Sequence, residues 1–415
     1  ALGNANDAYY AILNRLRRIS LRLTASTQRG SLQYNLGVIF VVLTVLPLVA
    51  LLLGERTNIR LSLGESPWQA GAAVAIIAAA IAATVMHNRL SAVILVGVTG
   101  YFLAFIFAMY GAPDLALTQV LVETVLMIIF MLVLRKMPTN VEWRGSPQFN
   151  RFRAWLSIAV AFSVVTVALF AMNARTAPLI SEPMPALAEQ ISHGLNTVNV
   201  ILVDFRAWDT MGETIVLIIA SLGVASLVFR TNSFVRHSRR PILTAVSRRW
   251  LAAQVETERA ANRSIMVDVA TRVLFPSMMA LSVYFFFTGH NAPGGGFAGG
   301  LVAALALSLR YVAGGRAELE ETLPIDPARL FFIGLLLSTG SALVPMAFGD
   351  PPLTSYYASV EIPVIGAVSL PSALIFDAAV YLIVIGMTMY VLTSLGTQLD
   401  LEEEERKQRA RDRAK

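Results

Sequence analysis

The sequence predicts an all-α, polytopic integral membrane protein with about ten transmembrane helices. Of its 415 residues, 56% are hydrophobic and only 14% are charged, a mixture too apolar for a soluble chain of this size. Apolar runs of about 20 residues, the length that crosses a bilayer core, recur along the chain. Because unpaired peptide groups are excluded from lipid, we interpret these runs as helices rather than strands.

The predicted spans follow one another with short or basic loops between them. They cover residues 33–53, 67–86, 90–110, 113–135, 152–172, 210–229, 265–288, 296–313, 328–348 and 371–395. Placing the loops alternately on two sides puts nearly all of the 33 Lys and Arg residues on the side of the N-terminus, with Arg56, Arg60, Arg175 and Arg206 opposite. Because basic loops stay inside, both termini are predicted to be cytoplasmic.

The spans group into two membrane modules. The predicted organisation is an amphipathic cytoplasmic-side helix over 1–31, a module of six spans over 32–229, a basic cytoplasmic linker over 230–264, a module of four spans over 265–396 and a charged cytoplasmic tail over 397–415. Anionic lipid headgroups account for the charge of the linker, so we predict contact with the bilayer and no nucleic-acid partner. The chain does not begin with Met, and we expect it to be the later part of a longer product.

Enzyme chemistry has no support in the sequence, and no cofactor is predicted. The absence of cysteine excludes disulfides and thiolate ligands, and no HExxH, CxxC or nucleophile-elbow motif occurs. The run "TGHNAPGGGFAGGL" places Gly294, Gly296 and Gly299 in GxGxxG spacing, but a membrane span follows it and no strand precedes it. We predict that these glycines permit a tight turn and close helix packing, with His290 as a loop or capping residue.

Glu123 is the clearest anomaly in the hydropathy pattern. It lies near the middle of the fourth span, in "LALTQVLVETVLMIIFMLVLRK", where a charged group costs about 2.5–3.5 kcal/mol on insertion scales. Gln119 is one turn earlier on the same face and is predicted to hydrogen-bond it. Either Glu123 is a protonated residue that fixes helix packing, or it exchanges a proton or shares a site with a cation.

Further acids fall near the start of the sixth span. The pattern from Thr210 to Glu213 is typical of a capping box, in which Glu213 would satisfy the first amide groups of that span. Asp204 and Asp209 lie nearby, and together with Glu213 they predict an acidic mouth that gathers cations.

Three more acids lie in or beside spans. Asp114 follows Pro113 in the first turn of the fourth span, where the helix dipole stabilises a carboxylate. Asp268 and Arg272 are four residues apart on the seventh span and are predicted to form an ion pair. Asp377 has no charged neighbour at helical spacing, so its partner must come from another helix or subunit, or it is protonated.

Several long runs match one family. "GAPDLALTQVLVETVLMIIFMLVLRKMP" resembles the C-terminal region of the large A subunit of Mrp-type multisubunit cation/proton antiporters, and "NVILVDFRAWDTMGETIVLIIASLGV" resembles the small domain that follows it. "FPSMMALSVYFFFTGHNAPGGGFAGGLVAAL" and "PSALIFDAAVYLIVIGM" are similar to the separate B subunit. This sequence departs from the family in joining the A-type and B-type regions, without the long antiporter-like domain expected before residue 1.

The resemblance implies a membrane subunit of a secondary transporter that exchanges Na⁺ for H⁺ using the proton-motive force. It implies a multi-pass location in the bacterial plasma membrane and other membrane subunits as partners. The family's "VET" acid falls on Glu123 and its "GE" acid on Glu213, which makes both candidate transient Na⁺ ligands, while Asp268 and Asp377 are secondary candidates. Two alternatives stay open: a non-conducting scaffold subunit, and a proton-pumping module of an assembly like complex I or a hydrogenase.

Overall fold

The computed structural model describes residues 5–27, 30–54, 66–134, 147–173, 178–228, 265–362 and 366–414. Within these ranges the regular elements are helices and one β-hairpin. In chain order they are α1 (Ala5–Thr27), α2 (Leu32–Leu53), α3 (Pro67–Val85), α4 (Arg89–Met109), α5 (Pro113–Leu134), α6 (Pro147–Asn173), α7 (Met184–Ser192), α8 (Thr197–Val200), a π-helical turn (Ile201–Phe205), α9 (Ala207–Val228), α10 (Ile265–Thr288), α11 (Gly295–Thr322), α12 (Pro327–Ala347), β1 (Tyr357–Ile362), β2 (Gly366–Pro371) and α13 (Ala373–Ala414).

The span prediction is confirmed. Within the described ranges, 10 helices are long and apolar enough to cross a membrane, and each coincides with a predicted span. Local sequence sets their ends: Gly111 takes a positive φ of 71° directly after α4, and Pro113 begins α5. The cytoplasmic location of both termini stays a prediction.

Contacts divide the chain into two units. One is drawn from residues 1–63 and 142–179 and contains α1, α2 and α6; in it, the Ser163 hydroxyl of α6 donates to the Thr44 carbonyl of α2 at 3.2 Å. The other is drawn from residues 64–141 and 180–415. These units follow spatial contacts, whereas the module boundaries predicted from the sequence stay a prediction.

The core of the second unit is centred on α11 and α13. Small residues of α11, such as Ala303, Ala304 and Ala306, are fully buried, and Phe376 of α13 is in one hydrophobic cluster with Ala298 and Val302 of α11. Gly300 permits this close packing, because a Cβ there would lie 3.0 Å from the Val384 Cβ. Two hydrophobic clusters join α11 and α13 to α5, and the first of them also includes the π-helical turn and α9.

Two features between spans were not predicted. Strands β1 and β2 pair in an antiparallel manner, with Tyr357 opposite Pro371 and Ile362 opposite Gly366. Residues 184–205 form α7, α8 and the π-helical turn, which lead directly into α9. Asn196 ties this segment to the loop before α11, because its side-chain amide donates to the carbonyls of Gly289 at 2.9 Å and Ala292 at 3.0 Å.

Candidate functional site

Three acids from three helices line one cavity in the second unit. Asp114 comes from α5, Glu213 from α9 and Asp377 from α13, and the cavity they share has a volume of about 230 Å³. Its other polar lining residues are Thr118, Asn199, Thr210 and Thr214. The sequence presented these acids as separate candidates on distant spans, and only the fold brings them together.

Asp377 is held at the first turn of α11. It is 4% exposed, and its carboxylate accepts a hydrogen bond from the backbone N–H of Gly296. Glycine is required here, because a Cβ at position 296 would overlap the Asp377 main chain and lie 2.7 Å from its Oδ1. A helix N-terminus presents unpaired N–H groups and positive potential, so it compensates a buried carboxylate. The sequence left open a partner from another helix or subunit, or a protonated Asp377; the structure supplies a backbone hydrogen-bond donor from α11.

Asp114 contacts the same glycine-rich segment. It lies in the first turn of α5, as predicted, and its Oδ1 accepts a hydrogen bond from the Gly294 N–H at 3.0 Å. Gly295 has a φ of +94°, which a residue with a side chain rarely adopts. The glycine run thus supplies the tight turn that was predicted and also backbone donors for two carboxylates.

The capping-box interpretation of Glu213 is wrong. Helix α9 begins at Ala207, so Thr210 is already inside it, and the Thr210 hydroxyl donates backward to the Leu202 carbonyl at 2.7 Å. The physical reason is the π-helical turn over Ile201–Phe205, which leads into α9 three residues before Thr210. Glu213 has no capping role and instead lines the shared cavity.

Asn199 is a site residue that sequence reasoning missed. It lies in α8, is 8% exposed and lines the shared cavity. Its backbone N–H donates to the Asn196 Oδ1 at 3.3 Å. The available signal was a pair of asparagines, Asn196 and Asn199, between two apolar runs, but an isolated polar residue in a loop does not reveal which side chains it will face.

Glu123 lies in a different cavity of the same unit. This second cavity has a volume of about 400 Å³, and its walls are mostly small and apolar side chains of α3, α4 and α5. Gln119 approaches Glu123 as predicted, but the Nε2 to Oε2 distance of 3.5 Å is at the long limit for a hydrogen bond. Gly100 of α4 makes room for the acid, because a Cβ there would collide with the Glu123 carboxylate.

Asp204 and Asp209, predicted as parts of an acidic mouth, both have partners. Asp204 accepts hydrogen bonds from the Ser192 hydroxyl, at 2.5 Å, and from the Tyr357 hydroxyl. Asp209 pairs with Arg206 at 2.5 Å on an exposed surface. Burial, and then the hydrogen bond to Asp204, raise the pKa of Tyr357 to about 12. The cation-gathering role of these two acids stays a prediction.

The predicted pair between Asp268 and Arg272 stays untested. Both residues belong to α10, but the side chain of Asp268 lies outside the described part of the chain. Among the described residues, no three His, Cys, Asp or Glu side chains are grouped closely enough to hold a metal ion. Glu123 and Glu213, the predicted transient Na⁺ ligands, line separate cavities.

Family models match three consecutive parts of the chain. One described as the D subunit of MBH matches residues 74–139, one described as the E subunit of MBH matches 150–242, and one described as "Domain related to MnhB subunit of Na+/H+ antiporter" matches 266–390. The order of these matches agrees with the order of the resemblances in the sequence.

Curated relatives and one solved structure agree with these matches. The chain is 33% identical over 328 residues to a protein of Rhizobium meliloti named as a probable K(+)/H(+) antiporter A/B subunit; the match covers 75% of this chain and 32% of that protein. It is 37% identical over 134 residues to the B subunit of the Na(+)/H(+) antiporter of Alkalihalophilus pseudofirmus, covering 32% of this chain and 93% of the relative. A structure of the Mrp complex from Dietzia sp. DQ12-45-1b superimposes with a TM-score of 0.76 at 26% identity, over 93% of this chain and 41% of that one.

The fold and its cavities define a multi-pass membrane protein with acidic sites between its spans. The chain spans about a third of the A/B relative and nearly all of the B-type relative. It belongs to the Mrp-type multisubunit Na⁺/H⁺ antiporter family, and it joins the C-terminal part of an A subunit to a B subunit. The resemblance inferred from the sequence is confirmed.

Proposed function

We propose that this chain is a membrane subunit of a secondary transporter that exchanges Na⁺ for H⁺ using the proton-motive force. In this proposal it works in the bacterial plasma membrane with other membrane subunits, and its intramembrane acids form part of the ion route. The observation that carries the proposal is the convergence of Asp114, Glu213 and Asp377 on one cavity.

Electrostatics explains why such a cavity suits ion transfer. Negative charges in a low-dielectric space repel one another, and the repulsion is relieved when a proton or a cation neutralises one of them. A cavity with three acids therefore offers a place where protons and cations compete for the same negative charge. Intramembrane acids commonly mark ion routes for this reason.

Glu123 supplies a second position in the same unit. It is half-buried, its strongest polar neighbour among the described residues is Gln119, and its cavity is wide enough to contain water. An acid with so little local compensation is suited to gaining and losing a proton. We propose that the Glu123 cavity and the shared acidic cavity are two successive sites of one ion route.

The names of the relatives support a monovalent cation as the exchanged ion. The A and B relatives are named for Na(+)/H(+) antiport, and the joined A/B relative is named for K(+). We take Na⁺ as the exchanged ion, and the vesicle assay includes both cations.

The experiment compares glutamine variants of two acids in everted membrane vesicles that contain the complete antiporter complex. Glu123→Gln and Glu213→Gln keep side-chain size but remove the ionisable group. The matched control is Glu189→Gln, an exposed residue of α7. We expect both site variants to lower the rate of Na⁺-dependent proton movement at least about tenfold, the equivalent of about 1.4 kcal/mol, and the control to leave it unchanged.

The alternatives predict other outcomes in the same vesicles. If Glu123→Gln and Glu213→Gln both assemble and exchange normally, the chain is a non-conducting scaffold. If the complex copurifies with iron–sulfur or flavin subunits and moves protons only with a redox substrate, it is a proton-pumping module. Replacing Na⁺ by K⁺ in the assay identifies the exchanged cation.

A further inference from the structure

We propose that Asn199 and Asp377 form a binding position for one dehydrated monovalent cation, Na⁺ or K⁺, inside the shared acidic cavity. The inference rests on the proposed function for its physiological role, but the binding position itself follows from local contacts. It adds a neutral ligand, Asn199, that the acids alone do not indicate.

Asn199 is a buried residue whose side chain lines the shared cavity. The residue is 8% exposed, and its side chain makes no hydrogen bond to any described residue. Native proteins rarely leave the polar side chain of a buried residue without a hydrogen-bond partner. Asn196, three residues earlier, has hydrogen-bond partners for both ends of its side-chain amide. Its Nδ2 donates to two carbonyls, and its Oδ1 accepts the Asn199 N–H.

The geometry around Gly295 places two oxygens beside the same space. The point that a Cβ of Gly295 would occupy lies 2.7 Å from the Asn199 Oδ1 and 3.3 Å from the Asp377 Oδ2. Because position 295 is glycine, no side chain fills this space. An amide oxygen and a carboxylate oxygen so close to one point can contact the same cation, since alkali and alkaline-earth cations take oxygen ligands.

Asp377 is oriented for this role by the start of α11. Its Oδ1 lies on the side of Gly296, whose N–H donates to the carboxylate, and its Oδ2 lies on the side of Gly295 and Asn199. The backbone thus compensates part of the negative charge and leaves one oxygen directed toward the open space. A partly compensated carboxylate with a neutral amide oxygen suits a single positive charge.

The neutral side-chain oxygens that line the rest of the cavity belong to threonines. Thr118 and Thr214 donate their hydroxyls to carbonyls of their own helices, as Thr210 does to Leu202, which leaves the hydroxyl lone pairs available as neutral oxygens. In the described ranges no three His, Cys, Asp or Glu groups cluster tightly enough for a metal site. Asp114 and Glu213 line the same cavity, but among the described residues the position beside Gly295 has one carboxylate, that of Asp377. One carboxylate with neutral oxygens balances a single positive charge, whereas a divalent cation usually recruits several carboxylates.

The test measures cation binding separately from exchange. In the purified complete complex, the midpoint of thermal unfolding is followed against NaCl or KCl, with choline chloride keeping ionic strength constant. Asn199→Leu keeps the branching and the number of side-chain heavy atoms but removes the oxygen, and Asn199→Asp keeps an oxygen. The matched control is Asn35→Leu, an exposed asparagine of α2 in the other unit.

We expect Asn199→Leu to raise the half-saturating cation concentration at least about tenfold, both for stabilisation of the complex and for exchange in everted vesicles. Asn199→Asp should still bind the cation, and Asn35→Leu should behave like the unaltered complex. If Asn199→Leu does not assemble, Asn199→Ala takes its place under the same criterion.

Two results would overturn the inference. One is an unaltered complex that Na⁺ and K⁺ stabilise no more than choline does. The other is an assembled Asn199→Leu complex with unchanged half-saturation; if Glu213→Gln still abolishes exchange, the ion route survives and only the Asn199 position fails. If the acid variants exchange normally while Asn199→Leu weakens binding, the proposed function fails and the binding position stands.

Discussion

The two cavities of the second unit hold their acids in different ways. Around Glu123 the walls are mostly alanine and valine side chains, and the hydroxyls of Thr84 and Thr99 donate to carbonyls of their own helices. Around the other cavity the acids come from three helices, and backbone N–H groups of Gly294 and Gly296 hold two of them in place. Among the described residues, the acidity of the first cavity therefore comes from the side chain of Glu123 alone. The acidity of the second depends on the packing of α5, α9 and α13, which brings their acids together.

In the proposed ion route, this difference suits the two cavities to different tasks. A carboxylate fixed by backbone donors keeps its position whether or not an ion is present, which is what a binding position needs. A carboxyl with one distant partner can change its protonation with little disturbance around it, which is what a proton relay needs. We expect the shared acidic cavity to decide cation affinity and the Glu123 cavity to decide proton movement.

The largest effect is expected from Asp377→Asn. The asparagine oxygen can still accept the Gly296 N–H, so α11 and α13 should pack normally, but the negative charge is lost. We expect a complex that assembles in normal amount on size-exclusion chromatography and exchanges Na⁺ for H⁺ more than about tenfold more slowly in everted vesicles. Normal exchange would mean that the charge of Asp377 has no part in the route, and the contrast between the two cavities would disappear.

A smaller effect is expected from Gly100→Ala, which tests the other cavity without changing an acid. The added Cβ would collide with the Glu123 carboxylate, so the acid must move away from α4. We expect a several-fold lower exchange rate with little change in half-saturating Na⁺. Gly71→Ala on α3 is the control, because no atom lies within 4 Å of its added Cβ.

A double-mutant cycle shows whether Gly100→Ala acts through Glu123. If it does, adding Gly100→Ala to Glu123→Gln should slow exchange by less than it slows the unaltered complex, because part of its effect is already present. Fully additive effects would show that Gly100 acts through helix packing alone.

The smallest effect is expected from Tyr357→Phe, at the contact with Asp204 beside the π-helical turn. Because the pKa of Tyr357 is raised to about 12, above its unfolded value of about 10, its neutral form stabilises the fold. This contribution is complete below about pH 10 and is lost as the pH rises toward 12. Tyr357→Phe should cost about 1 kcal/mol at neutral pH and flatten the loss of thermal stability above pH 10.

The control for that measurement is Tyr284→Phe, an exposed tyrosine of α10. It should leave both the stability and its pH dependence unchanged. Equal slopes above pH 10 for Tyr357→Phe and the unaltered complex would show that the contact with Asp204 does not contribute to stability.

The spans could be predicted from the sequence because hydropathy is a local property. Gly111 and Pro113 set the boundary between α4 and α5 through their own backbone preferences, and both acted as expected. Glu123 was equally visible, since a single acid in an apolar run needs no tertiary information to be noticed. For the same reason, its weak contact with Gln119, one helical turn away, could also be predicted.

The shared cavity could not be predicted because its parts meet only through packing. Asp377 lies far along the chain from Gly296, and no helical periodicity connects them. Glu213 was misassigned as a cap because the π-helical turn moves the start of α9 to Ala207, and such a turn has no simple sequence signal. Asn199 was missed because the sequence does not show that its side chain lines the cavity without a hydrogen-bond partner among the described residues.

The shared cavity takes Asp114 and Glu213 from the A-type part of the chain and Asp377 from the B-type part. In Alkalihalophilus pseudofirmus the corresponding relatives are separate A and B subunits, whereas here one polypeptide supplies both halves. Tethering replaces a concentration-dependent encounter with an intramolecular one. The chain therefore carries both halves of its acidic cavity in a fixed one-to-one stoichiometry, independent of how much of each part the cell would otherwise have to synthesise.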